Sequence, residues 1–507
     1  MSPSDYSEKI NGPHATERRV DSSSSLATLD QNQLASPVSD STKLESQVPL
    51  PPPYHVFTRY RKLQMVCIVS LAAIFSPLSS NIYFPALGTI SKDLGVPMSL
   101  TTLTVTVYMI IQGLAPSFWG SFSDILGRRG IFIGTFIVYI ISNILLAVST
   151  NYGELMAFRA LQAAGSSATI SIGAGVIGDI TTSAERGEPG GDLWRRSIFW
   201  FLVIFSGLSL LILLFFLPET IRTVAGNGTV PLHGLYKPWI YYITGQRDVK
   251  EDAIPAGKKK KVTFKTVFAP LSFLIEKDVF ITLFYGAIVY TVWSMVTSST
   301  SALFESVYGL NSLEVGLTFL GNGFGCMSGS YTIGYLMDYN HKLTEREYCE
   351  RRNLPLDTPI NTKTHPDFPI EIARMRNTWW ITALFIVCTA AYGFSLETSV
   401  AVPVILQYLI AYCATAIFTI NSALVIDLYP GASASATAVN NLMRCEVGAA
   451  GVAAVQPIID ALTAKWAFLL LAGVTLHMVP LLLIEMRWGA GWRLERTERL
   501  KRKAESA

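Results

Sequence analysis

Charge is the scarcest property of this chain. Asp, Glu, Lys and Arg make up 15% of its 507 residues while half are hydrophobic, and the mean hydropathy is +0.37, so water is not its main solvent. Cysteine is scarce as well: Cys67, Cys326, Cys349, Cys388, Cys413 and Cys445 show no CxxC or other ligand spacing, and five of the six lie in apolar stretches. They read as small core residues, with no disulfide or metal role expected. A Ser-His-Asp set, a phosphate-binding glycine loop and a metal-ligand cluster are all missing, so an enzyme is the least favoured reading, and no cofactor or nucleic-acid partner is expected. The apolar/polar alternation of a β-barrel is absent. No cleavable leader precedes the first apolar run, which would itself direct insertion.

What the chain has instead is long apolar runs. They cover 65–87, 99–119, 131–149, 154–180, 197–217, 279–304, 313–337, 377–396, 402–427, 434–461 and 465–488. Each holds about 20 residues or more, the length at which a helix crosses roughly 30 Å of hydrocarbon with its backbone groups satisfied internally. The expected fold class is an all-α polytopic membrane protein. Between Asp179 and Phe199 the segment Thr181-Thr-Ser-Ala-Glu-Arg-Gly-Glu-Pro-Gly-Gly-Asp-Leu-Trp-Arg-Arg196 is too short and polar to cross, which leaves eleven spans.

Placement of basic residues organises the rest. The net charge of +3 says little, but 218–277 carries Arg222, Lys237, Arg247, Lys250, the run Lys258 to Lys261, Lys265 and Lys277, whereas the connection at 428–433 carries none. That basic loop is expected in the cytosol; the lysine run is a topology determinant or a contact for anionic lipid. It separates five spans in 59–217 from six in 278–488, which suggests two helical bundles. Residues 1–58, rich in Ser, Pro and Asp, are expected to form a disordered cytosolic tail, and 489–507 a basic cytosolic one. A short repeat links the bundles: Gly120-Ser-Phe-Ser-Asp124 after the second span and Gly334-Tyr-Leu-Met-Asp338 after the seventh. Corresponding positions in two halves are what internal duplication produces.

Gly120-Ser-Phe-Ser-Asp124-Ile-Leu-Gly127-Arg128-Arg129 resembles the signature of the major facilitator superfamily between its second and third helices. Its chemistry is readable alone: glycines let helices approach, an acid sits at a helix end, and two guanidinium groups stay at the interface. Arg159-Ala-Leu-Gln162-Ala-Ala-Gly165 resembles the superfamily's Arg-x-x-Gln-Gly-x-Gly element, with Ala163 for the first glycine. Asn81-Ile-Tyr83-Phe-Pro85, Gly178-Asp179-Ile, Glu185-Arg186-Gly187, Leu217-Pro-Glu-Thr-Ile-Arg222, Asp427-Leu-Tyr-Pro430 and Asn440-Asn-Leu-Met-Arg444 are similar to the fungal drug:proton antiporters, nearest the quinidine-resistance and dityrosine exporter group. The resemblance covers roughly 59–488. It implies twelve helices in two bundles, substrate bound between them, alternating access, and proton coupling in many members. It also implies a Gly-Pro-rich fifth helix between the equivalents of Gly187 and Trp194, and this chain lacks one. Five spans before the basic loop would then leave that loop outside, against its charge.

Polar groups inside spans mark the candidate path. Arg159, Arg444 and Glu446 stand out, since an arginine at mid-helix costs about 2.5–3.5 kcal/mol on insertion scales unless it faces a partner or a cavity. Arg159 lies near the start of its span, so snorkelling to the bilayer edge is the alternative. Residues 444 and 446 are about 200° apart on a helix, which places Arg444 with Asn440 and Asn441, and Glu446 with Leu442 and Ala450. Glu446 is the candidate proton carrier, or else a structural partner for a buried cation. Asn81, Tyr83, Gln112, Asn322, Gln407 and Asn421 are candidates for substrate hydrogen bonds or interhelical contacts. Tyr108, Tyr285, Tyr290 and Trp293 suit a cavity for cationic or planar molecules, or lipid-facing packing. The expected function is proton-coupled export of small organic compounds, drugs, toxins or metabolites, by a monomer in the lipid bilayer of the plasma membrane. The alternative is a transport-inactive relative: a sequence carrying a misjudged splice junction, a degenerate copy or a sensor.

Overall fold

The computed structural model describes residues 57–180, 195–225, 230–245, 269–355, 365, 367–429 and 433–505. Among these every regular element is helical, as the apolar runs require. In the N-terminal part, α1 (Arg59–Ala73), α2 (Phe75–Asn81) and α3 (Leu87–Leu94) form one interrupted column, broken at a short 3₁₀ turn, Phe84–Ala86, that carries Pro85. Then follow α4 (Met98–Leu126), α5 (Arg128–Val148), α6 (Tyr152–Ile180) and α7 (Arg195–Phe216). Two short helices, α8 (Arg222–Ala225) and α9 (Ile240–Thr244), precede the C-terminal part. This contains α10 (Lys277–Tyr308), α11 (Ser312–Arg352), α12 (Ile370–Met375), α13 (Thr378–Ser395), α14 (Ala401–Leu428) and α15 (Ser433–Glu505).

Thr463 divides α15 into two arms. Its φ of 67° lies in the left-handed region, unusual for a β-branched residue, and turns the chain between the last two apolar runs. Local sequence sets the other ends. Asn311 caps α11 by accepting from the Leu313 and Glu314 N–H groups at 3.0 Å each, while Glu314 accepts from the Asn311 N–H at 2.9 Å. Gly95 and Gly309 take positive φ just past α3 and α10, where a side chain would be strained.

The eleven expected runs all lie in helical segments, the first in the interrupted α1–α3 column and the last two in the arms of α15, and seven helical stretches are long and apolar enough to cross a membrane by length and composition. Their outer faces carry Ile137, Ile141, Ile204, Leu208, Val387 and Ile405 exposed, the surface a hydrocarbon solvent demands. Two boundaries differ from expectation. α11 continues past 337 to Arg352, because the charged stretch from Asp338 is rich in helix formers and ends only at Asn353, φ 53°. The stretch 489–507 is likewise not a free tail: α15 carries on to Glu505, held by buried Arg493 and Arg496. Part of 218–277 also folds back on the bundle, the Tyr236 hydroxyl donating to the Leu126 carbonyl at 3.1 Å. Lys258 to Lys261 lie outside the described residues.

The packing repeats between the halves. α4 lies on α6, α5 on α6 and on α7, and α1 on α6; correspondingly α11 lies on α14, α13 on α14 and on α15, and α10 on α14. Across the halves, α4 packs on α15. Tyr83, Leu87 and Met109 share one apolar core with Val289, Val292 and Val452.

Candidate functional site: two arginines inside the helical bundle

Arg159 is fully buried on α6. Its guanidinium lies between the Tyr83 ring at 3.9 Å and the Tyr108 ring at 4.3 Å, an arrangement that offsets part of the cost of removing the charge from water. One terminal nitrogen donates to Gln162 Oε1 at 2.6 Å and to the Ser79 carbonyl at 3.4 Å. Nε and the other terminal nitrogen have no hydrogen-bond partner. Among the described residues, the groups acting on it electrostatically are the Tyr83, Tyr108 and Tyr139 phenols, with no carboxylate. Snorkelling is excluded by this burial.

A polar shell fixes the arginine. Gln162 donates to Asn143 Oδ1 at 2.8 Å, Tyr108 contacts Ser166 Oγ at 2.9 Å, Ser79 Oγ contacts Tyr139 OH at 2.6 Å, and Thr104 donates to Tyr83 OH at 3.0 Å. Gly165 is required here, because a Cβ would fall 2.7 Å from the Tyr139 backbone nitrogen. Such buried networks position a side chain when every other member is satisfied.

Across the interface, Asn441 of α15 donates to the Gln112 carbonyl of α4 at 2.6 Å. Arg444 donates to Asn441 Oδ1 at 2.6 Å, and its guanidinium covers Tyr290 at 4.6 Å and Phe418 at 4.5 Å. Arg444 Nε is buried without a partner. Gln112 donates to Ser76 Oγ at 2.9 Å and accepts from Cys445 Sγ at 3.7 Å. Glu446 leaves Arg444 and turns to α4, where a Cβ on Gly113 would meet its Oε1 at 2.8 Å; that oxygen is also buried and unpartnered. Tyr108 feels both Arg159 and Cys445, so it stands between the two arginine environments.

The structure thus gathers Gln112, Arg444 and Glu446 at the α4–α15 contact and Arg159, Gln162 and Tyr83 in a neighbouring cluster around α6, with Tyr108 acting on both. The other candidates sit elsewhere. Asn81 donates to the Pro77 carbonyl of its own helix at 2.8 Å; Asn322 accepts from Trp293 Nε1 at 2.9 Å; Gln407 donates to Thr300 Oγ1 and Tyr392 OH at 2.8 and 2.9 Å. Asn421 reaches the Thr282 carbonyl at 3.4 Å. Asn143, Ser76 and Ser79 escaped sequence reasoning, and only their polarity inside apolar runs signals them.

The motif between α4 and α5 is a clamp. Gly127, φ 98°, ends α4, and the Glu219 carboxylate accepts from the backbone N–H groups of Arg128, Arg129, Thr220 and Ile221 at 2.9, 3.1, 3.0 and 3.0 Å. The first two are orphan donors of the α5 N-terminus, where a negative charge is favoured. Arg129 spans to the end of α7, donating to the carbonyls of Leu213, Leu214 and Leu235 at 2.8 Å each and to that of Leu217. Arg128 donates to Ser123 Oγ at 2.6 Å. Gly120 lies in α4, and the Asp124 side chain is outside the described set. In the second half Gly334 faces open space and Asp338 is exposed.

Helices with lipid-facing apolar surfaces, halves that repeat one packing pattern, and arginines held inside the helical bundle, Arg159 fully buried and Arg444 half-buried at the α4–α15 contact, fit a membrane transport protein. The Major Facilitator Superfamily profile matches residues 69–191 and 190–452, and the chain belongs to that superfamily. It is 66% identical over 519 aligned positions to Citrate exporter 1 of Aspergillus niger, covering 98% of this chain and 97% of the relative. It is 31% identical to the MFS antiporter QDR2 of Candida albicans, covering 83% of this chain and 87% of that protein. The crystal structure of the human organic anion transporter MFSD10 shares the fold, with a TM-score of 0.54 at 16% identity, covering 83% of this chain and 99% of that one. The protein is a transmembrane exporter of small organic compounds.

Proposed function

We propose that the exported compound is citrate or a closely similar tricarboxylate, carried from the cytosol across the plasma membrane with protons as the coupling ion. The observation that carries this is Arg159, a buried guanidinium with two unpartnered nitrogens and no carboxylate beside it among the described residues. A substrate carboxylate supplies the missing bidentate partner, and Arg444 across the α4–α15 contact offers a second. The name of the 66% identical relative points the same way. Glu446, with its buried free oxygen at Gly113, is the proton carrier at that contact. The gating role falls to the Gly120–Arg129 loop and its echo at Gly334 and Asp338. Citrate efflux from cells expressing the chain tests this: Arg159→Gln abolishes efflux, and undiminished efflux in that variant overturns the assignment.

A second reading concerns this polypeptide as it stands, and it is that the chain is short of one helix and transport-inactive until that helix is supplied. Three observations support it. The superfamily profile breaks at residues 190–191, and the alignment with the citrate exporter is longer than this 507-residue chain, so the relative carries residues missing here. The third is the face of α11 that holds Leu317, Leu320, Phe324, Met327, Tyr331 and Tyr335, all exposed. Superposing the Gly-x-x-x-Asp repeat sets Met109 and Gly113, which pack on α15, onto Gly323 and Met327 of this face. Among the described residues, the contact α4 makes with α15 therefore lacks its twofold mate. Sequencing the transcript across the codons for Arg186 to Trp194 tests it: an additional apolar segment supports the reading, and a continuous junction in an active exporter overturns it.

A further inference from the structure

A second buried charge group lies where α10 begins, α12 packs and α15 runs past its apolar stretch. Arg496 donates from one nitrogen to both Asp278 oxygens, at 2.9 and 2.7 Å, and to Tyr429 OH of the α14 end at 3.4 Å. Arg493 donates to Glu371 of α12 at 2.7 and 3.3 Å and to the Phe368 carbonyl at 2.7 Å. Asp278, Glu371, Arg493 and Arg496 are all more than nine-tenths buried. Outside them, Glu276 pairs with exposed Arg499 and Arg374 with Asp427.

Glu485 of α15 sits among these groups, fully buried. A Cβ on Gly489 would fall 2.6 Å from Glu485 Oε1 and 3.3 Å from Glu371 Cγ, and Asp278, Glu371 and Arg496 all act on Glu485 electrostatically. By strict hydrogen-bond geometry both of its oxygens are unpartnered, and the Thr282 hydroxyl is the neighbouring donor that acts on it. The two guanidinium groups are already balanced by the Asp278 and Glu371 carboxylates. An ionised Glu485 would be a third buried negative charge beside Asp278 and Glu371, with only the Thr282 hydroxyl among the described residues offering a hydrogen bond.

We propose that Glu485 is a proton-binding site of the transport cycle, protonated while this end of the C-terminal bundle is closed and ionised when α10, α12 and α15 part. The site is distinct from Glu446, and its part in the cycle rests on the export reading above. Loss of the proton to water sets Glu485 against Asp278 and Glu371 and in competition for Arg496 and Arg493. The same two ion pairs that latch the helices are thereby loosened.

Infrared titration of the purified full chain in lipid nanodiscs reads the proton directly. The wild type should show a buried protonated-carboxyl component at neutral pH that is lost in Glu485→Gln, an isostere of the neutral acid; a spectrum unchanged by the substitution overturns the site. Should that variant fail to accumulate, Glu371→Gln removes a neighbouring negative charge and frees Arg493, so the same component should disappear at lower pH than in the wild type. No shift there overturns the site equally. In efflux assays Glu485→Gln should lose the pH dependence of the wild type, and an unaltered pH profile overturns the role in the cycle. The infrared result does not require citrate, so a chain that exports no citrate leaves it readable.

Discussion

Replacing Glu219 should unfasten α5 from α7. Its carboxylate accepts four backbone N–H groups between 2.9 and 3.1 Å, and two of them open α5 and have no intrahelical acceptor. In Glu219→Ala those buried donors lose their acceptor, and the buried Arg129 guanidinium loses its neighbouring negative charge. Leaving a buried donor unsatisfied costs about 1–3 kcal/mol, and breaking a buried charged contact about 3–5 kcal/mol. Since the donors share one acceptor and relax together, the sum is not additive, and a loss of about 3–5 kcal/mol is expected. Glu219→Gln keeps one acceptor oxygen and should lose roughly half of that. The assay is thermal unfolding of detergent-purified variants followed by tryptophan fluorescence, with Arg129→Ala and the double variant completing a cycle. A Glu219→Ala protein within about 0.5 kcal/mol of wild type would refute the clamp, because that is the scatter of surface substitutions.

Arg159→Lys keeps the charge but loses the planar group stacked between Tyr83 and Tyr108, so citrate efflux should fall at least tenfold while folding persists; efflux equal to wild type would remove the bidentate requirement. Glu446→Gln should retain citrate binding but lose the response of efflux to a pH gradient, measured in proteoliposomes. His341, on the extension of α11, has its pKa lowered by burial and by Arg374, against the opposing Glu345 and Asp427. A histidine lowered on folding contributes stability present above its unfolded value and lost as pH falls through the folded one. Hydrogen-exchange protection over 338–352, taken relative to the intrinsic rate at each pH, should therefore fall as pH drops below about 6.5, less so in His341→Gln. Thr463→Gly relieves a positive φ of 67° and should stabilise the chain by about 1 kcal/mol, read from the same thermal unfolding.

Much of the fold was legible because hydrocarbon leaves few options for a backbone. Every apolar run proved helical, though the first is interrupted into α1–α3 and the last two share α15, and Gly120–Asp124 against Gly334–Asp338 pointed to a repeat that the paired packing of α4 with α6 and α11 with α14 now displays. Where polarity stopped being informative, so did the sequence. The extension of α11 to Arg352 and of α15 to Glu505 is charged and soluble in character, and it is helical through propensity and ion pairs that periodicity in apolar residues does not report. Of the site, Arg159, Arg444 and Glu446 were visible as misplaced charges. Their faces were half visible: helical geometry separated Arg444 from Glu446, but only packing could bring Glu446 to Gly113 and Arg444 to Tyr290. Glu219 was read as part of a family stretch, and its four amide contacts come from segments about 90 residues apart that no local pattern joins.

The most direct test of a carboxylate path through Arg159 is citrate binding to the purified chain by isothermal titration calorimetry, alongside Arg159→Gln. Removing one partner of a buried hydrogen-bonded charge pair costs about 2–5 kcal/mol, so the account requires saturable binding that weakens by roughly 30-fold or more in the variant. Equal affinity in the two proteins would contradict it.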